Sequence, residues 1–558
     1  MILVNHLGFA DITSLVFGLV TGSLAGIFVY RIVLKHLLAA DALPLNGPSN
    51  KSKIFGVMHE IQSSPDPGKL YEDWAAAYGP VYKVPTLFGR SKIVLLDPKA
   101  LSQFYAKETT VYVGAPSTKR FIARIFGKGL LWAEGESHKR QRRALTPAFS
   151  NAALRRLTSV FYDSAYKLKS YWDNELENNP DGDVIEVQHW MNRVALDSLG
   201  IAGFSHNFES LEGKRSAIGD AFEALGRAPP TKLSGMIFLL QFVFPWAGYI
   251  PTERNVLLLK MKRTMKEIAN EMLEKNKKVE ESSGGGDKSI IGLLIKAENT
   301  SKKGDGDNKL HMTAEEVAAQ NVLLVAGYET TSISLTWALI ELSKSLAKQD
   351  LLRKELLGTN DGHDPEWDDL MTADKYPYLD AVVHETLRLH PPVAETTRMA
   401  SETDVLPLSM PIITKDGKEL TSLPVAKGTH LTSPISCLNR SELVWGKRAK
   451  EFIPERWIAG NHGFEESEVI PASAKSIQGH RHLLTFSDGP RICLGRNFAL
   501  SEFKAVLFVL IRNYSFEFPN GPDTKISIAR ALLPRPTVEG SQGLGPKVPL
   551  RVRKVEAE

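Results

Sequence analysis

Cysteine is scarce in this chain, which has only Cys437 and Cys493 among its 558 residues. Two cysteines are too few for a secreted scaffold held by disulfides, and they cannot supply a tetrahedral zinc site rich in cysteine. A surplus of charge is also missing, because 68 basic residues face 64 acidic ones. A nucleic-acid-binding protein concentrates far more positive charge, so we expect no nucleic acid among the partners. A reducing compartment fits the cysteine content best.

Internal repeats and long linkers rich in proline or serine are also absent from the sequence. Length alone allows several domains of roughly 100 to 200 residues each. The composition, with 43% hydrophobic and 24% charged residues, is globular rather than disordered and can bury a large core. We therefore predict one large catalytic unit.

Charged residues are missing from positions 12–30, a run of 19 residues near the amino terminus. At about 1.5 Å per residue, this run nearly crosses a hydrocarbon core of about 30 Å, so it predicts a transmembrane helix. Arg31 and Lys35 follow the run, and Asp11 is the only charged residue before it. The positive-inside rule therefore places the rest of the chain in the cytosol.

A cleavable signal peptide is the alternative, since residues 40–42, Ala-Asp-Ala, match a cleavage pattern. The apolar run exceeds the roughly 7 to 15 residues usual for such a peptide and has no positive segment in front of it, which favours the anchor. Two prolines and a glycine in residues 44–48 then stop the helix. We predict a membrane anchor in residues 1–43 and a catalytic domain in residues 44–558.

The catalytic domain is predicted to be mainly α with a small β-rich region. Alternating apolar and β-branched residues in Val81–Leu96 predict a β-hairpin. Helical periodicity dominates Lys99–Leu389, and strand-like and coil segments follow it. The longest helix begins at Thr313, where Glu316 completes a capping box, and continues past Leu342.

Two more helices and two loops complete the expected organisation. A helix in Tyr378–His390 is stopped by two prolines, and a last helix opens just after Cys493. The polar stretches Ser282–Asp287 and Ser301–Asn308 are predicted to be surface loops.

Residues 486–495, with the sequence FSDGPRICLG, carry the clearest chemical signal. Gly489 and Pro490 predict a tight turn. Cys493 lies at the start of the last predicted helix, whose amide groups stabilise a thiolate. Gly495 lets the backbone pass close to a flat ligand.

A thiolate on haem iron donates electron density that favours cleavage of the O–O bond. The segment resembles the haem-binding signature of the cytochrome P450 family, Phe-x-x-Gly-x-Arg-x-Cys-x-Gly, and matches every fixed position. The resemblance implies that Cys493 ligates the iron of haem b, that Phe486 and Gly495 border this cofactor, and that Arg491 pairs with a propionate. A buried, inert cysteine is the alternative, and we interpret Cys437 in that way.

The long predicted helix contains Ala326-Gly327-Tyr328-Glu329-Thr330-Thr331. Glycine inside a helix costs about 1 kcal/mol relative to alanine. A hydroxyl that bonds back to a carbonyl bends a helix, and the missing side chain of Gly327 leaves a groove that fits dioxygen. A kinked core helix with a solvated acid is the alternative.

The same six residues are similar to the oxygen-binding motif of the cytochrome P450 family. The resemblance implies that Ala326 and Gly327 line the dioxygen site and that Thr330 holds dioxygen. It also implies that Glu329 relays protons, which is general acid work by a positioned group.

Glu385 and Arg388 have the spacing of an ion pair on one helix, which by itself is common and weak. The family pairs such a helix with an arginine from a later Pro-Glu-Arg segment, which is found here at residues 454–456. The resemblance implies that Arg456 joins Glu385 and Arg388 in a buried triad beneath the haem. Its role is structural, because removing one partner leaves an uncompensated buried charge.

Two arginines outside the signature resemble the family's other propionate ligands. They are Arg142, which precedes Thr146-Pro147-Ala148-Phe149, and Arg398, which follows the prolines at 391 and 392. Many relatives have a tryptophan four residues before Arg142, whereas this chain has His138. We expect His138 to donate a hydrogen bond to the haem. An exposed polar helix residue that titrates near neutral pH is the alternative.

Two surfaces are implied by the same resemblance. The basic run His138–Arg143 lies on the face where a reductase docks through complementary charge, with an ordinary solvated face as the alternative. The apolar stretch Leu233–Ile250 is too irregular to span a membrane. In the family this region lies over the active site, so we interpret it as a membrane-contacting entrance for lipophilic substrates rather than as ordinary core.

The resemblance implies a haem-thiolate monooxygenase that inserts one oxygen atom from O2 into a hydrophobic small molecule. The sequence has no flavin or nicotinamide motif, so electrons from NADPH require a separate reductase. The exact residues of these motifs are most similar to those of fungal members of the family, many of which modify terpenoids and other secondary metabolites. Such members are single-pass proteins of the endoplasmic reticulum membrane whose catalytic domain faces the cytosol.

Two other functions stay open. One is a haem-thiolate isomerase or dehydratase that needs no outside electrons, although the Glu329-Thr330 pair argues for oxygen activation. The other is a non-catalytic haem-binding membrane protein.

Overall fold

A computed structural model describes most of the catalytic domain. The described residues are 16, 18–24, 26–27, 43–214, 219, 232–283, 292, 312–359, 362–458, 469–530, 533–541 and 545–555. Much of the predicted anchor in residues 12–30 and the predicted loop Ser301–Asn308 therefore lie outside the described residues, as does Ser282–Asp287 after its first two residues. The described residues between 16 and 27 are helical, and their side chains are exposed.

Helices make up most of the described structure. In chain order they are α1 (Met58–Ser63), α2 (Pro67–Tyr78), α3 (Pro98–Ala106), α4 (Pro116–Ile125), α5 (Gly135–Leu145), α6 (Asn151–Arg155), α7 (Thr158–Leu176), α8 (Val187–Phe204), α9 (Lys232–Val243), α10 (Glu253–Ser283), α11 (Ala314–Ala318), α12 (Val322–Lys344), α13 (Leu346–Gly358), α14 (Trp367–Met371), α15 (Pro377–Leu389), α16 (Ile435–Leu438), α17 (Glu442–Trp445), α18 (Ala472–Lys475) and α19 (Arg496–Asn513).

Short strands form four small sheets in the described residues. They are β1 (Val81–Pro85), β2 (Ser91–Leu95), β3 (Tyr112–Val113), β4 (Asp183–Glu186), β5 (Thr396–Ala400), β6 (Asp404–Ile413), β7 (Glu419–Val425), β8 (His430–Ser433), β9 (Tyr514–Glu517), β10 (Ile526–Arg530), β11 (Pro534–Val538) and β12 (Pro549–Lys554). The largest sheet has the order β1-β2-β8-β5-β3, and the smaller ones are β4-β12-β9, β6-β7 and β10-β11.

The predicted fold class, mainly α with a small β-rich region, is confirmed by these elements. β1 pairs with β2 in antiparallel register with Val81 opposite Leu95, which is the predicted hairpin. The helix predicted in Tyr378–His390 is α15, and the last predicted helix is α19.

The hydrophobic core has two main parts. In the larger one, α12 and α19 are buried on almost every side and pack with α7 and α8. In the smaller one, the five-stranded sheet packs on α2 and α3. Both central helices are mostly apolar and enclosed by other elements, although Glu329 on α12 and Glu502 and Lys504 on α19 are buried charged residues.

The long helix begins as predicted but is divided. Thr313 and Glu316 form the reciprocal capping box. Residues Ala319–Asn321 then form a 3₁₀ turn between α11 and α12, where one continuous helix was expected. The buried side chain of Gln320 donates to the Glu316 carbonyl at 2.9 Å and to the Gln141 side chain at 3.0 Å. The Gln320 side chain thus bonds to the carbonyl that accepts a backbone amide in a regular helix.

The same segment is the helix in the described residues that is long and apolar enough to cross a membrane, Glu315–Lys344. Its most apolar part is 78% buried inside the protein. This burial identifies the segment as part of the protein core, although its length and composition would also suit a membrane span.

We predict that Gly129→Ala lowers the free energy of unfolding by about 1 to 3 kcal/mol. A Cβ at Gly129 would lie 2.5 Å from the Ala319 carbonyl oxygen, and a packed backbone yields less easily than a side-chain tip. Denaturant unfolding measures the effect. Gly358→Ala is the control, because its Cβ meets nothing within 4 Å. Equal transition midpoints for the two variants would contradict the prediction.

Candidate active site

The segment that carries the cysteine motif folds into a tight loop ahead of α19. The amide of Cys493 donates to the Phe486 carbonyl at 2.8 Å, which closes the loop. Gly489 has a φ of +62°, and a Cβ there would lie 2.2 Å from the Tyr105 carbonyl oxygen at the end of α3. Glycine is therefore required at this position both by its conformation and by the neighbouring backbone.

Burial and nearby positive charge have opposite effects on the pKa of the Cys493 thiol. Burial raises the pKa of the thiol, whereas a hydrogen bond from the Gly495 amide and the charges of Arg142 and Arg496 lower it. Gly495 is the N-cap residue of α19, so one amide at the start of this helix faces the sulfur. For Cys437, burial is the largest influence and raises its pKa. Its side chain is buried, as expected of a packing residue.

Open space is found at Cys493 and on one face of α12. The Cys493 side chain is exposed although burial raises the pKa of its thiol. On α12, Ala326 is exposed, and Leu323, Gly327 and Thr330 are half-buried, whereas residues from Thr331 to Ser343 are buried. Positions spaced by three and four residues share one helix face. This face of α12 therefore borders open space.

The residues present fit a haem. Gly495 has an ordinary φ of −88°, and a Cβ there would meet only Phe149 at 3.6 Å. Neither backbone strain nor a close protein neighbour therefore explains glycine at this position, whereas the approach of a flat ligand does. A single accessible cysteine supplies the donor that a haem-thiolate site needs.

Four basic side chains from distant parts of the sequence meet beside this loop. His138 lies within electrostatic range of Arg142, Arg398 and Arg491. Arg142 also donates to the Ile492 carbonyl, next to Cys493. These are the three propionate ligands and the additional haem contact predicted from the sequence, and the structure brings them together.

His138 is 4% exposed, so it is not the exposed helix residue of the alternative interpretation. Burial and then the charges of the arginines lower its pKa to about 4. The imidazole is therefore neutral at pH 7 and can donate one hydrogen bond.

Two acidic residues of this cluster, Glu108 and Glu134, were not predicted from the sequence. Glu108 pairs with Arg398 at 2.9 Å, and Glu134 pairs with Arg491 at 2.6 Å. Glu108 is fully buried, and burial raises its pKa to about 7 against the opposing charges of Arg398 and Arg491. The Nε atom of Arg491 is buried without a hydrogen-bond partner among the described residues, which leaves a donor for another carboxylate. No local pattern marks Glu108 or Glu134, since their partners lie hundreds of residues away.

The hydroxyls of α12 bond back to the helix as predicted. Thr330 Oγ1 donates to the Ala326 carbonyl at 2.6 Å, and Thr331 Oγ1 donates to the Gly327 carbonyl at 2.9 Å. The groove expected beside Gly327 is filled, because a Cβ there would lie 2.6 Å from Cδ2 of Leu199 on α8. Glycine at this position lets α8 and α12 pack closely.

The acid of the α12 motif is buried rather than solvated. Glu329 is fully buried, and its Oε1 lies 3.0 Å from Nη2 of Arg535 on β11. Burial raises the pKa of Glu329, and the charge of Arg535 opposes this shift. The sequence did not predict a role for Arg535, because this residue lies 206 positions from Glu329 in a strand of ordinary composition.

The charged triad forms as predicted and is completely buried. Glu385 accepts bidentate hydrogen bonds from Arg388, both at 2.9 Å, and one from Arg456 at 3.1 Å. The Trp457 indole and the Ile453 amide also donate to Glu385, both at 2.9 Å. These bonds tie α15 to the 3₁₀ turn Pro454–Trp457.

The apolar stretch after α8 forms α9 and a 3₁₀ turn, Pro245–Tyr249. Trp246 and Tyr249 are 60% and 69% exposed, so this turn is not ordinary core. Arg124 of α4 lies over the Tyr249 ring at 4.9 Å, which joins the turn to α4.

We predict that Glu385→Gln destabilises the protein by about 3 to 5 kcal/mol, because it leaves two buried guanidinium groups without their anion. Thermal unfolding together with haem retention measures the loss. Glu136→Gln removes a carboxylate that is 90% exposed, so it should unfold like the wild type. A stable, haem-retaining Glu385→Gln protein would show that the triad is dispensable.

Comparison with known proteins agrees with this geometry. A family model described as cytochrome P450 matches residues 46–539. Cytochrome P450 monooxygenase claP of Ampulloclitocybe clavipes is 53% identical over 94% of this chain and 96% of its own. Monooxygenase claQ of the same fungus is 55% identical over 92% and 93%. A ganoderic acid synthetase of Ganoderma lucidum is 32% identical over 80% and 83%. With a thiolate loop, a cation cluster and a hydroxyl-lined helix in place, the chain belongs to the cytochrome P450 family.

Proposed function

We propose that this protein is a membrane-bound haem-thiolate monooxygenase that transfers one oxygen atom from O2 to a hydrophobic small molecule, with electrons from NADPH through a separate reductase. The observation that carries the proposal is the accessible Cys493 thiol within the protein, faced by the Gly495 amide and two arginines. Family membership and relatives named as monooxygenases support it.

The haem, when bound, supplies an iron with a thiolate ligand, whose electron donation favours O–O cleavage. Cys493 is the ligand, and the loop bond between Cys493 and Phe486 orients it. Arg142, Arg398 and Arg491 are the cations for the two propionates, and neutral His138 adds a donor.

The protein's own proton chemistry belongs to α12. The Thr330 hydroxyl donates its hydrogen bond to the Ala326 carbonyl. The hydroxyl oxygen can therefore accept a hydrogen bond on the open face of the helix. Glu329, the residue before Thr330 on the helix, is the buried acid that can hold or release a proton beside that hydroxyl. Ala326 contributes a small side chain that leaves this face open, whereas Gly327 makes room for Leu199 of α8.

We predict that Cys493→Ser loses both the absorption band of the reduced, carbon monoxide-bound protein that reports thiolate ligation and NADPH-dependent product formation. Serine retains the shape but is a harder and more weakly donating ligand. Cys437→Ala is the matched control, because it removes the chain's other cysteine and leaves the loop intact. Thiolate-type spectra from Cys493→Ser would refute the assignment.

The haem-thiolate isomerase or dehydratase is the second candidate, and it needs no outside electrons. The hydroxyl of Thr330 beside an acid favours oxygen activation over that chemistry. Product formation without NADPH would instead support it. Failure to turn over any lipophilic compound with a competent reductase would support a non-catalytic haem protein.

The reductase is proposed to dock at a cleft beside the thiolate loop. A cavity of about 790 Å³ lies between α3, α5 and Pro490, and its lining includes Lys139, Arg142 and Arg143. Within the basic run, Arg140 is engaged by Glu316 at 2.6 Å. Lys139 and Arg143 are the exposed cations that remain for a docking partner.

We predict that Lys139→Glu raises the reductase concentration needed for half-maximal turnover several-fold at low ionic strength, and that added salt reduces the difference. Lys354→Glu, an exposed charge reversal on α13 away from the cleft, is the control. Turnover that is unaffected by Lys139→Glu and by salt would exclude steering through this face.

Membrane attachment and a lipophilic substrate are supported by three features. The uncharged run in residues 12–30 has the length of a membrane span, and we propose a single pass in the endoplasmic reticulum. Exposed Trp246 and Tyr249 are suited to a membrane interface above the site. One relative is named for ganoderic acid synthesis, which supports the proposal of a tailoring step in secondary metabolism, such as that of a terpenoid. Screening lipophilic compounds by haem spectral shift identifies the substrate class.

A further inference from the structure

A buried ion pair links the acid of the α12 motif to a strand near the carboxyl terminus. Glu329 and Arg535 have side chains that are 1% and 3% exposed, with Nη2 and Nε of Arg535 at 3.0 and 3.3 Å from the same Glu329 oxygen, Oε1. The second oxygen, Oε2, is buried with no hydrogen-bond partner among the described residues. An isolated carboxylate in such a place is costly, so the cation of Arg535 is what keeps a charged Glu329 there.

The pair also fixes where the acid points. Glu329 and Thr330 are successive residues of an α-helix, so their side chains are turned about 100° apart and point in different directions. The burial pattern agrees, since Ala326 is exposed and Thr330 half-buried while Glu329 is fully buried. In this arrangement the carboxylate is directed toward Arg535 rather than toward the open face of the helix.

Arg535 is held by a hairpin of its own. β10 and β11 pair in antiparallel register with Arg535 opposite Ala529, and these two strands form a separate sheet. Leu533, just before β11, packs against the main core, and its backbone hydrogen-bonds to Glu329. The hairpin therefore contacts the acid through both a side chain and the backbone.

Other ionisable groups near this part of α12 do not replace Arg535. Glu502 of α19 is fully buried beside Ser198 and Thr331, on the other side of the motif. Among the described residues, Arg535 is the charged group that acts on Glu329. The charge of the acid therefore depends on one cationic side chain, whereas its position is also held by the Leu533 backbone.

We propose that Arg535 is a positioning residue for proton delivery, which holds Glu329 as a buried carboxylate and so makes the acid beside Thr330 depend on the β10–β11 hairpin. The inference rests on the proposed function, because it names what controls the acid of that same site. Arg535 acts through Glu329 and has no contact with substrate in this scheme.

The test compares Arg535→Gln, Arg535→Lys, Glu329→Gln and the double variant Glu329→Gln/Arg535→Gln, each as haem-loaded full-length protein. The carbon monoxide spectrum checks that the thiolate site is intact. Infrared spectroscopy then detects the carbonyl stretch of a protonated carboxylic acid, and the pH profile of NADPH-dependent turnover is recorded together with peroxide release.

Without the cation the pKa of Glu329 rises further, so Arg535→Gln should show a protonated-acid band at neutral pH that is missing from the double variant. The acid limb of its turnover profile should move up by roughly one to three pH units. Peroxide released per NADPH should also increase. Arg535→Lys keeps a charge and should fall between Arg535→Gln and the wild type. The double variant should behave like Glu329→Gln alone, because the two residues act as a unit.

An Arg535→Gln protein with an intact thiolate spectrum, no new infrared band and a wild-type pH profile would overturn the proposal. So would effects of Arg535→Gln and Glu329→Gln that simply add, or a change confined to KM, which would make Arg535 a substrate contact. If Arg535→Gln does not fold, Arg535→Lys decides, and loss of the thiolate spectrum there too would mark a purely structural arginine. Failure of the proposed function is separate, because the wild type would then form no NADPH-dependent product while the infrared comparison still reports on the pair.

Discussion

The structure depends on one constraint, which is that charges taken out of water must be paired. Glu385 shows it most fully, because a single buried carboxylate joins two guanidinium groups, an indole and a backbone amide. These bonds hold α15 against the 3₁₀ turn Pro454–Trp457, which comes from a later part of the chain. An apolar replacement can fill such a space, but removal of one partner leaves a charge with no compensation.

The same rule organises the candidate haem site. Three arginines beside the Cys493 loop repel one another, and Glu108 and Glu134 offset part of that charge. The cluster stays rich in donors, as a site for a dicarboxylate cofactor requires. On α12, Glu329 is stabilised by Arg535 in the same way. Buried ion pairs thus determine the charge distribution both beside the Cys493 loop and on α12.

Several elements could be predicted because their signals are local. The capping box at Thr313, the hairpin in Val81–Leu96 and the helix after Cys493 each follow from residues within a few positions. The division of the long helix at Ala319–Asn321 was missed, since its cause is the side chain of Gln320 reaching Gln141, 179 positions away. The groove beside Gly327 was wrong for a similar reason, because Leu199 comes from another helix.

The sequence by itself determined the family signature, the cysteine that carries it, the hydroxyl-rich segment of α12 and the mainly helical fold. These features rest on residue types at short, fixed spacings, which the chain displays whether or not it is folded. Only the tertiary structure decided which acid faces which cation, including Glu329 with Arg535 and Glu108 with Arg398. Such pairs join residues more than 200 positions apart, and their partners are chosen by how helices and strands pack, a property that no local pattern contains.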